Sequence, residues 1–588
     1  MTIAAPRERA FDPLTLEILW NRLIATTDEM AAILVKTSFS TVVGAANDFG
    51  CELMDSRGRS LAHATRSMPV FNRTLPHVTR AFIRKFGLDR MRPGDVFICN
   101  DPWLAAGHGY DIAVVTPFFR GGTVAGFAGS IANVSDIGGV LNDNLAREAY
   151  EEGLLIPMAY LFEQSEPNDL VIEFLRWNVR VPDMVIGDIY AEAAANEVGA
   201  RKLLALLDEY GLEDLEDLAA EIQGRTDAAM RRAIAQIPPG QYRHAVEFDE
   251  VNVLRIEACV TFDGRGVTVD FTGTSPQQPM GGINCTLSYT TGQTSYAVKY
   301  LLIPEVPENE GCYGAVRIVA PEKSLLNCVF PASVRTRTRS GWYIHSALAG
   351  ALAPVLPDRV MAPNGLMGGI IAYGADTGGR SFYAHFFDGG GMGAGQHSDG
   401  NPTLIFPSSA SNVPIEMFEV AAPVLVHEKE FVTDSGGAGL HRGGLGQRVS
   451  YSRLPGWTEP VITNFWAHRM RVPPFGLRGG GAATASRVYI DGQELSRDEF
   501  LTKTEGFPLI DDATTCTAEI AGGGGFGPAY ERPVERVLAD VRNGLVSPDS
   551  AARDYGVVLN PLVLTLCEDD TRARRAELRG RPAPHRAS

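Results

Sequence analysis

The stretch of sequence that organises this chain runs from Asn100 to Gly139. It opens as Asn100-Asp101-Pro102-Trp103-Leu104-Ala105-Ala106-Gly107-His108-Gly109-Tyr110-Asp111 and continues into an apolar run, Ile112 to Pro117. A turn at Arg120-Gly121-Gly122 leads to a second apolar run, Val124 to Ala132, and then to Asn133-Val134-Ser135-Asp136-Ile137-Gly138-Gly139. Two strand-like runs joined by a Gly-Gly turn predict a β-hairpin.

The polar residues at the open end of this hairpin form a candidate site. His108 and Asp111 precede the first strand, and the second strand returns Asn133 and Asp136 to the same end. Imidazole and carboxylate groups supplied by adjacent loops are typical of open catalytic metal sites. His-x-x-Asp alone is a weak signal, because a single His near a turn more often has a structural role.

Motifs along most of the chain resemble one family. They include Asn100-Asp101-Pro102, His108-x-x-Asp111, Asp136-Ile137-Gly138-Gly139, Asp12-Pro13-Leu14, Pro93-Gly94-Asp95, Asn309-Glu310-Gly311-Cys312, Asp434-Ser435-Gly436-Gly437 and Gly522-Gly523-Gly524-Gly525-Phe526-Gly527. In this order they resemble the hydantoinase B family, the second subunit of ATP-dependent hydantoinases and oxoprolinases. That family is also similar to the large subunit of acetone carboxylase.

The resemblance implies roles for individual residues. It implies that Asp48, His108 and Asp111 are metal ligands, with Asn133 at a fourth ligand position, and it gives Glu152 a substrate-side role. The family normally has His-His-x-Asp where this chain has Asn133-Val134-Ser135-Asp136. An amide oxygen is a poor substitute for imidazole at a zinc or manganese site. We therefore expect weaker metal binding, a harder cation, or a changed role for the site.

General acid–base roles are also open at this site. Asp136 or His108 is expected to act as general base, so the predicted catalytic residues are His108, Asp111 and Asp136. Cys99 is interpreted as a core residue, because the sequence places no base beside it. His63 and His77 are interpreted as structural, since neither is paired at ligand spacing.

Composition bounds the class of protein. The chain has 588 residues, is 45% hydrophobic and has a formal net charge of -17. Such a charge excludes the basic footprint of a nucleic-acid-binding protein and argues against an anionic membrane surface. The N-terminus lacks the apolar core of a signal peptide and no run is long enough to span a membrane, so we expect a cytoplasmic protein. The eight cysteines are scattered, without Cys-x-x-Cys.

Periodicity predicts an α+β multidomain fold with mixed β-sheets. Asp12-Pro13 predicts a helix start, followed by helical spacing to about Lys36 and hairpins. Good helix formers then predict a central helical segment, and short alternating runs with Gly-rich loops predict a β-rich C-terminal half. The predicted regions are 1–180 with the site, 181–240 helical, 241–570 β-rich and 571–588 as a flexible tail.

The Gly-rich loops do not predict nucleotide binding. None has the order of a P-loop or opens a βαβ unit, so their expected use is in turns and close backbone packing. The resemblance then implies that a hydantoinase A-like ATPase partner binds ATP and Mg and phosphorylates the substrate. The expected function is the catalytic subunit of an ATP-dependent cyclic amide hydrolase, in a hetero-oligomer. The alternatives are a subunit of an ATP-dependent ketone carboxylase and a non-catalytic scaffold for the ATPase.

Overall fold

The computed structural model describes residues 11–141, 146–250, 252–503, 507–509, 511–560 and 563–580. Its α-helices are α1 (Pro13–Thr37), α2 (Thr41–Gly44), α3 (Phe71–Phe86), α4 (Asp169–Asn178), α5 (Pro182–Glu209), α6 (Glu216–Ala235), α7 (Leu287–Leu302), α8 (Thr338–Gly341), α9 (Tyr343–Leu352), α10 (Ile415–Ala421), α11 (Arg497–Lys503), α12 (Val534–Arg542), α13 (Pro548–Asp554) and α14 (Glu568–Gly580).

Its strands are arranged in four sheets. They are β1 (Phe49–Asp55), β2 (Ser60–His63), β3 (Val96–Cys99), β4 (Asp111–Arg120), β5 (Thr123–Asn133), β6 (Ala159–Glu163), β7 (Glu166–Pro167), β8 (Gly240–Asp249), β9 (Val253–Phe262), β10 (Val267–Asp270), β11 (Val316–Val319), β12 (Met367–Ala375), β13 (Ser381–Gly389), β14 (Val424–Phe431), β15 (Gln447–Arg453), β16 (Val461–Trp466), β17 (Arg487–Ile490), β18 (Gln493–Glu494), β19 (Phe507–Leu509) and β20 (Cys516–Glu519). The predicted α+β class is confirmed.

The chain divides into two compact units by its contacts. One unit contains the described residues of 1–242, 258–344 and 408–410, and the other contains those of 243–257, 345–407 and 411–588. The predicted helical segment 181–240 therefore belongs to the first unit. Among the described residues, no helix combines the length and apolar character needed to cross a membrane.

The first unit is built on a seven-stranded sheet, in the order β2-β1-β5-β4-β3-β6-β7. Helix α1 begins as predicted, because the Asp12 side chain accepts a hydrogen bond of 3.0 Å from the Thr15 N–H and Pro13 occupies the first helical turn. The apolar side chains on one face of α1, among them Leu19, Leu23 and Leu34, are fully buried in one core with residues of β1, α5 and α6. This core supports the strands that carry the site.

Two helices differ from their predicted positions. By sequence, Pro76-His77 favours the start of a helix that runs to Gly87, but α3 begins at Phe71 and contains Pro76 in its second turn. A buried apolar face offsets the hydrogen bond that the proline removes. The expected tail from 571 begins instead with α14, whose Arg575 Nε donates to the carbonyl of Tyr555 at 3.2 Å. Residues 581–588 lie outside the described part of the chain.

The second unit contains sheets in the order β13-β12-β16-β19 and β14-β15-β20-β17-β18. Beside them, Gly-rich segments of 389–401, 435–446, 476–481 and 521–527 stack backbone against backbone; we call them the glycine layer. Main-chain bonds join the segments, such as Gly437 N–H to the Gly523 carbonyl at 2.8 Å and Gly523 N–H to the Gly444 carbonyl at 2.9 Å. A Cβ atom on Gly443 would lie 1.8 Å from the Gly523 carbonyl oxygen. The expected use of these glycines in close backbone packing is thus confirmed.

Candidate active site

The predicted hairpin is formed by β4 and β5. Gly121 and Gly122, with φ of 57° and 83°, make the turn that an Arg-Gly-Gly sequence favours. The antiparallel register places Asp111 directly opposite Asn133. The strand pairing therefore brings the two halves of the candidate site together at one end of the sheet.

His108 and Asp111 are in direct contact. His108 Nε2 lies 2.9 Å from Asp111 Oδ1, and Asp111 is fully buried. The other ring nitrogen, Nδ1, lies 2.9 Å from the carbonyl oxygen of Arg335. Because a carbonyl only accepts hydrogen bonds, Nδ1 carries the proton of the neutral ring. Its partner atom is a backbone atom, so the orientation of the imidazole is fixed by the fold.

The second nitrogen of His108 is left facing a carboxylate oxygen. Burial and the nearby charge of Arg337 lower the pKa of His108, although Asp111 acts in the opposite direction. A neutral ring protonated at Nδ1 presents a lone pair at Nε2, which would repel the Asp111 oxygen. A cation between the two atoms, either a proton or a metal ion, removes that repulsion.

Asn133 completes a triangle of polar atoms. Its Nδ2 lies 3.2 Å from Asp111 Oδ1 and 3.4 Å from His108 Nε2. Rotation of the amide by half a turn places its oxygen there instead. Donor atoms that share an ion at bonds of about 2.0–2.2 Å are themselves separated by roughly 3–3.5 Å. The three side chains therefore fit one face of a coordination sphere.

The distances between the three donor atoms suit a metal ion, but their chemical types suit it less well. Among the described residues, no group of three or more His, Cys, Asp and Glu side chains is arranged to hold a metal ion. The third corner of the triangle is the amide of Asn133, where an imidazole would supply a stronger ligand. The metal remains a prediction for this chain, with a neutral third donor as its weakest point.

Asp48 lies at the entrance of β1, next to the triangle. Its backbone carbonyl accepts a 3.1 Å hydrogen bond from the Asn133 N–H. Burial, together with the negative charge of Asp111, raises the pKa of the Asp48 carboxyl to about 8, against the opposing effect of Arg337. Its surroundings therefore favour the neutral form of the Asp48 carboxyl more than water does.

Arg337 was not anticipated from the sequence. It is 4% exposed, and its Nη2 donates to Asp111 Oδ2 at 2.5 Å while its Nε donates to the Ala106 carbonyl at 2.7 Å. The guanidinium also lies 4.4 Å from the centre of the Tyr289 ring. The sequence did contain an indication of its role. Arg335-x-Arg337-x-Arg339 places an arginine at every second position, a pattern that is uncommon in a buried loop.

Glu152 orders the segment that carries these arginines. Its Oε1 accepts hydrogen bonds from the backbone N–H groups of Val334 and Arg335, at 2.7 and 2.8 Å. Arg335 in turn donates to the hydroxyl of Tyr110 and lies 4.7 Å from that ring. These contacts give Glu152 a supporting position beside the site.

Asp136 is held by a different partner. Its Oδ1 accepts from Arg180 Nη1 at 2.7 Å and from the Gly138 N–H at 3.1 Å, and its Oδ2 accepts from the Arg180 backbone N–H. The hairpin thus returns Asn133 to His108 and Asp111, whereas Asp136 turns toward Arg180. Its carboxylate anchors the Ile137-Gly138-Gly139 loop.

The remaining candidates lie apart from this chemistry. Cys99 is fully buried, and burial raises the pKa of its thiol to about 12, which leaves it unreactive. His63 Nδ1 lies 3.0 Å from the Ala64 carbonyl oxygen, and His77 is exposed on α3. The structural roles expected for these two histidines stay predictions.

Comparison with known proteins identifies relatives of the whole chain. The family model described as Hydantoinase B/oxoprolinase matches residues 12–529. The B subunit of a putative D-/L-hydantoinase from Pseudomonas sp. (strain NS671) is 29% identical over 579 residues, covering 94% of this chain and 96% of the relative. The beta subunit of caprolactamase from Pseudomonas jessenii is 31% identical over 589 residues, covering 93% and 96%.

Solved structures share the fold. The crystal structure of ATP-dependent caprolactamase from Pseudomonas jessenii superposes with a TM-score of 0.86 at 29% identity, covering 97% of this chain and 100% of that one. A nucleotide-free acetone carboxylase structure also gives a TM-score of 0.86, covering 97% of this chain and 83% of that one. Its identity is 19%, so this second likeness concerns the fold alone.

Proposed function

Because the chain belongs to the hydantoinase B/oxoprolinase family, we propose that it is the catalytic subunit of an ATP-dependent cyclic amide hydrolase. Relatives with nearly full-length matches are named as the B subunit of a hydantoinase and the beta subunit of caprolactamase, and a related crystal structure is that of an ATP-dependent caprolactamase. The observation that carries the proposal is the buried contact of His108 with Asp111, set beside the Asp48 carboxyl, whose pKa is raised by burial and by the charge of Asp111.

The proposed reaction needs two subunits. A hydantoinase A-like ATPase, with its own ATP and Mg, phosphorylates the carbonyl oxygen of the cyclic amide and so removes the resonance that protects it. The names of the relatives, which mark them as parts of larger assemblies, support such a partner. This chain then adds water to the activated carbon, and the ring C–N bond breaks as the nitrogen takes up a proton. The acyl phosphate that results is hydrolysed by a second water to the carboxylate and inorganic phosphate.

Each residue of the site has a proposed role in the hydrolysis. Asp48 in its ionised form accepts a proton from the attacking water, since a pKa near the working pH suits a general base. His108 is held in one orientation by the Arg335 carbonyl, and Asp111 is held by Arg337. A divalent ion, zinc or manganese, held by His108, Asp111 and Asn133 would polarise an oxygen at the reacting carbon, and Asp48 would act as the base rather than as a ligand. Asp136 remains the alternative base, with Arg180 as its present partner.

One experiment tests the proposal directly. The chain is co-expressed with its ATPase partner, and ATP-dependent ring opening of hydantoin, 5-oxoproline and caprolactam is followed by product and phosphate release. His108→Ala should abolish ring opening, while His77→Ala, on an exposed helix face, should keep it. Full activity in His108→Ala would remove this site from the mechanism and favour a scaffold role.

Nucleotide binding provides a second test. Since the Gly-rich segments are occupied in backbone packing, the isolated chain should not bind ATP. Calorimetry that gives a dissociation constant below about 100 μM, or about -5.5 kcal/mol, would contradict the division of labour between the two proteins. Co-elution of the two chains at micromolar concentration is expected in size-exclusion chromatography.

A ketone carboxylase is the second candidate function. Asn133 favours it, because loss of an imidazole donor weakens the case for a strongly bound hydrolytic metal ion. The same complex, supplied with acetone or acetophenone, ATP and labelled bicarbonate, should then fix the label into acid-stable product. Fixation without ring opening of any cyclic amide would select the carboxylase.

A further inference from the structure

The buried guanidinium of Arg337 occupies one oxygen of the central carboxylate. Asp111 has Oδ1 facing His108 Nε2 at 2.9 Å and Oδ2 bound to Arg337 Nη2 at 2.5 Å. Both side chains are almost completely removed from solvent. The single negative charge of Asp111 is thus already balanced by a positive charge within the protein.

The surrounding residues form a slot for this arginine. The Ala106 carbonyl accepts from Nε, and Tyr289 offers its ring face to the guanidinium. Gly107, with φ of 93°, has no side chain to obstruct it; a Cβ atom there would lie 2.9 Å from Arg337 Cδ. Two hydrogen bonds and the Tyr289 ring hold the Arg337 side chain, so its position in the site is determined by the fold.

A divalent ion at the triangle of His108, Asp111 and Asn133 would face this guanidinium across one carboxylate. The positive charges repel each other, and screening by water is weak at a buried position. The single negative charge of Asp111 cannot fully neutralise both Arg337 and a divalent ion. The contact between Arg337 and Asp111 therefore opposes occupation of the triangle.

We propose that Arg337 competes with a divalent cation for Asp111 and so sets the metal affinity of the site. The inference rests on the site of the proposed function, but it concerns cation binding and needs no activity. It assigns to Arg337 a positioning role that acts through Asp111. The occupancy of the site by metal would then depend on whether Arg337 is drawn away from Asp111.

Manganese binding to the intact, metal-free protein tests the proposal. Free Mn²⁺ is measured by electron paramagnetic resonance in the unmodified protein and in Arg337→Gln, which keeps a polar group but removes the charge. The variant should bind Mn²⁺ at least about tenfold more tightly. Arg337→Lys, which keeps the charge, should behave like the unmodified protein. The matched control is Arg59→Gln, which removes the charged partner of a different buried carboxylate, Asp55, and should leave Mn²⁺ binding unchanged.

The double variant Asp111→Asn, Arg337→Gln identifies the ligand. The gain should disappear when Asp111 is neutralised. Equal Mn²⁺ affinity in Arg337→Gln and the unmodified protein, or a gain that persists without Asp111, would overturn the proposal. Arg337→Met offers the same loss of charge if Arg337→Gln does not fold, as judged by circular dichroism. Absence of ring-opening activity in every form would count against the proposed function only.

Discussion

The Asp48 carboxyl group affects both the proposed reaction and the pH dependence of the stability of the folded chain. Its folded-state pKa of about 8 lies well above 3.8, chiefly because the carboxyl is buried and secondly because Asp111 is near. Between these pH values the unfolded chain is ionised at Asp48 and the folded chain is not. The folded state therefore binds the extra proton, and stability falls as pH rises from about 4 to about 8.

Asp48→Asn should remove this penalty. In metal-free protein at pH 8.5 the variant is expected to have a free energy of unfolding that is larger than that of the unmodified chain by on the order of a few kcal/mol. It should therefore unfold at a higher temperature. The difference should shrink toward pH 4, where both forms are neutral. Differential scanning calorimetry across pH checks it, with the exposed Asp89→Asn as control. A difference independent of pH would mean that Asp48 is ionised throughout.

Asn133 is the residue at which the site departs from the family pattern. Asn133→His would restore an imidazole opposite Asp111 and should raise metal affinity by about 10 to 100-fold. Elemental analysis after dialysis against zinc or manganese measures the content, and His introduced at the exposed Asn543 is the control. A full equivalent of tightly held metal in the unmodified protein would instead mean that Asn133, or a ligand not yet identified, already completes the site.

At the scale of elements, the loop after β5 depends on one buried carboxylate. The contacts of Asp136 with Arg180 and Gly138 hold this loop, and Arg180 also donates to the Gly139 carbonyl. The Cβ atom of any other residue at 138 would lie 2.2 Å from the Asn178 carbonyl oxygen. The loop is therefore fixed between the sheet and the segment that follows α4.

Asp136→Asn separates an anchoring role from a catalytic one. As an anchor, it should cost about 3 kcal/mol of unfolding free energy, and Arg180→Ala should cost a similar amount. Arg176→Ala, in an exposed ion pair, should cost less than about 1 kcal/mol. Denaturant unfolding measures all three. If Asp136→Asn keeps full stability but loses turnover, the predicted role as general base is supported instead.

Local signals explain which elements could be predicted. The Asp12-Pro13 start of α1 and the Gly121-Gly122 turn of the hairpin depend on residues close in sequence, so propensity and alternation were sufficient. The register of that hairpin then follows, and with it the pairing of Asp111 with Asn133. Arg337 could not be placed, because its contact with Asp111 spans 226 positions and no periodic pattern encodes such a distance.

The helix start at Phe71 and the helix from Glu568 could not be predicted for a different reason. In α3, burial of one face outweighed a proline that ordinarily marks a boundary. In α14, Arg575 is tied to the Tyr555 and Arg532 carbonyls, contacts that composition alone does not show. Asp136 turns away from the triangle for the same reason, since its partner Arg180 lies 44 positions further along. In each case a tertiary contact decided between local alternatives.

At the scale of the whole molecule, the second unit depends on its glycine layer. Gly443→Ala would force a methyl group to within 1.8 Å of the Gly523 carbonyl oxygen, so the stacked segments must separate. The expected cost is about 3 kcal/mol or more, or failure to fold. Gly224→Ala, in α6 with open space around it, should be neutral or stabilise by up to about 1 kcal/mol. Thermal unfolding compares them, and equal stability would show that the layer is loosely packed.

The glycine layer also determines when this unit can form during synthesis. Its neighbours are separated by long stretches of chain: Gly391 donates to the Ala521 carbonyl, and Gly523 donates to the Gly444 carbonyl. Glycine has the largest conformational freedom to lose, and loop closure must precede any gain from such distant contacts. The segment around Gly523 is synthesised after the other three. The earlier segments can bond to one another, as the Gly444 N–H does to the Met392 carbonyl, but their bonds to the last segment cannot form until it leaves the ribosome.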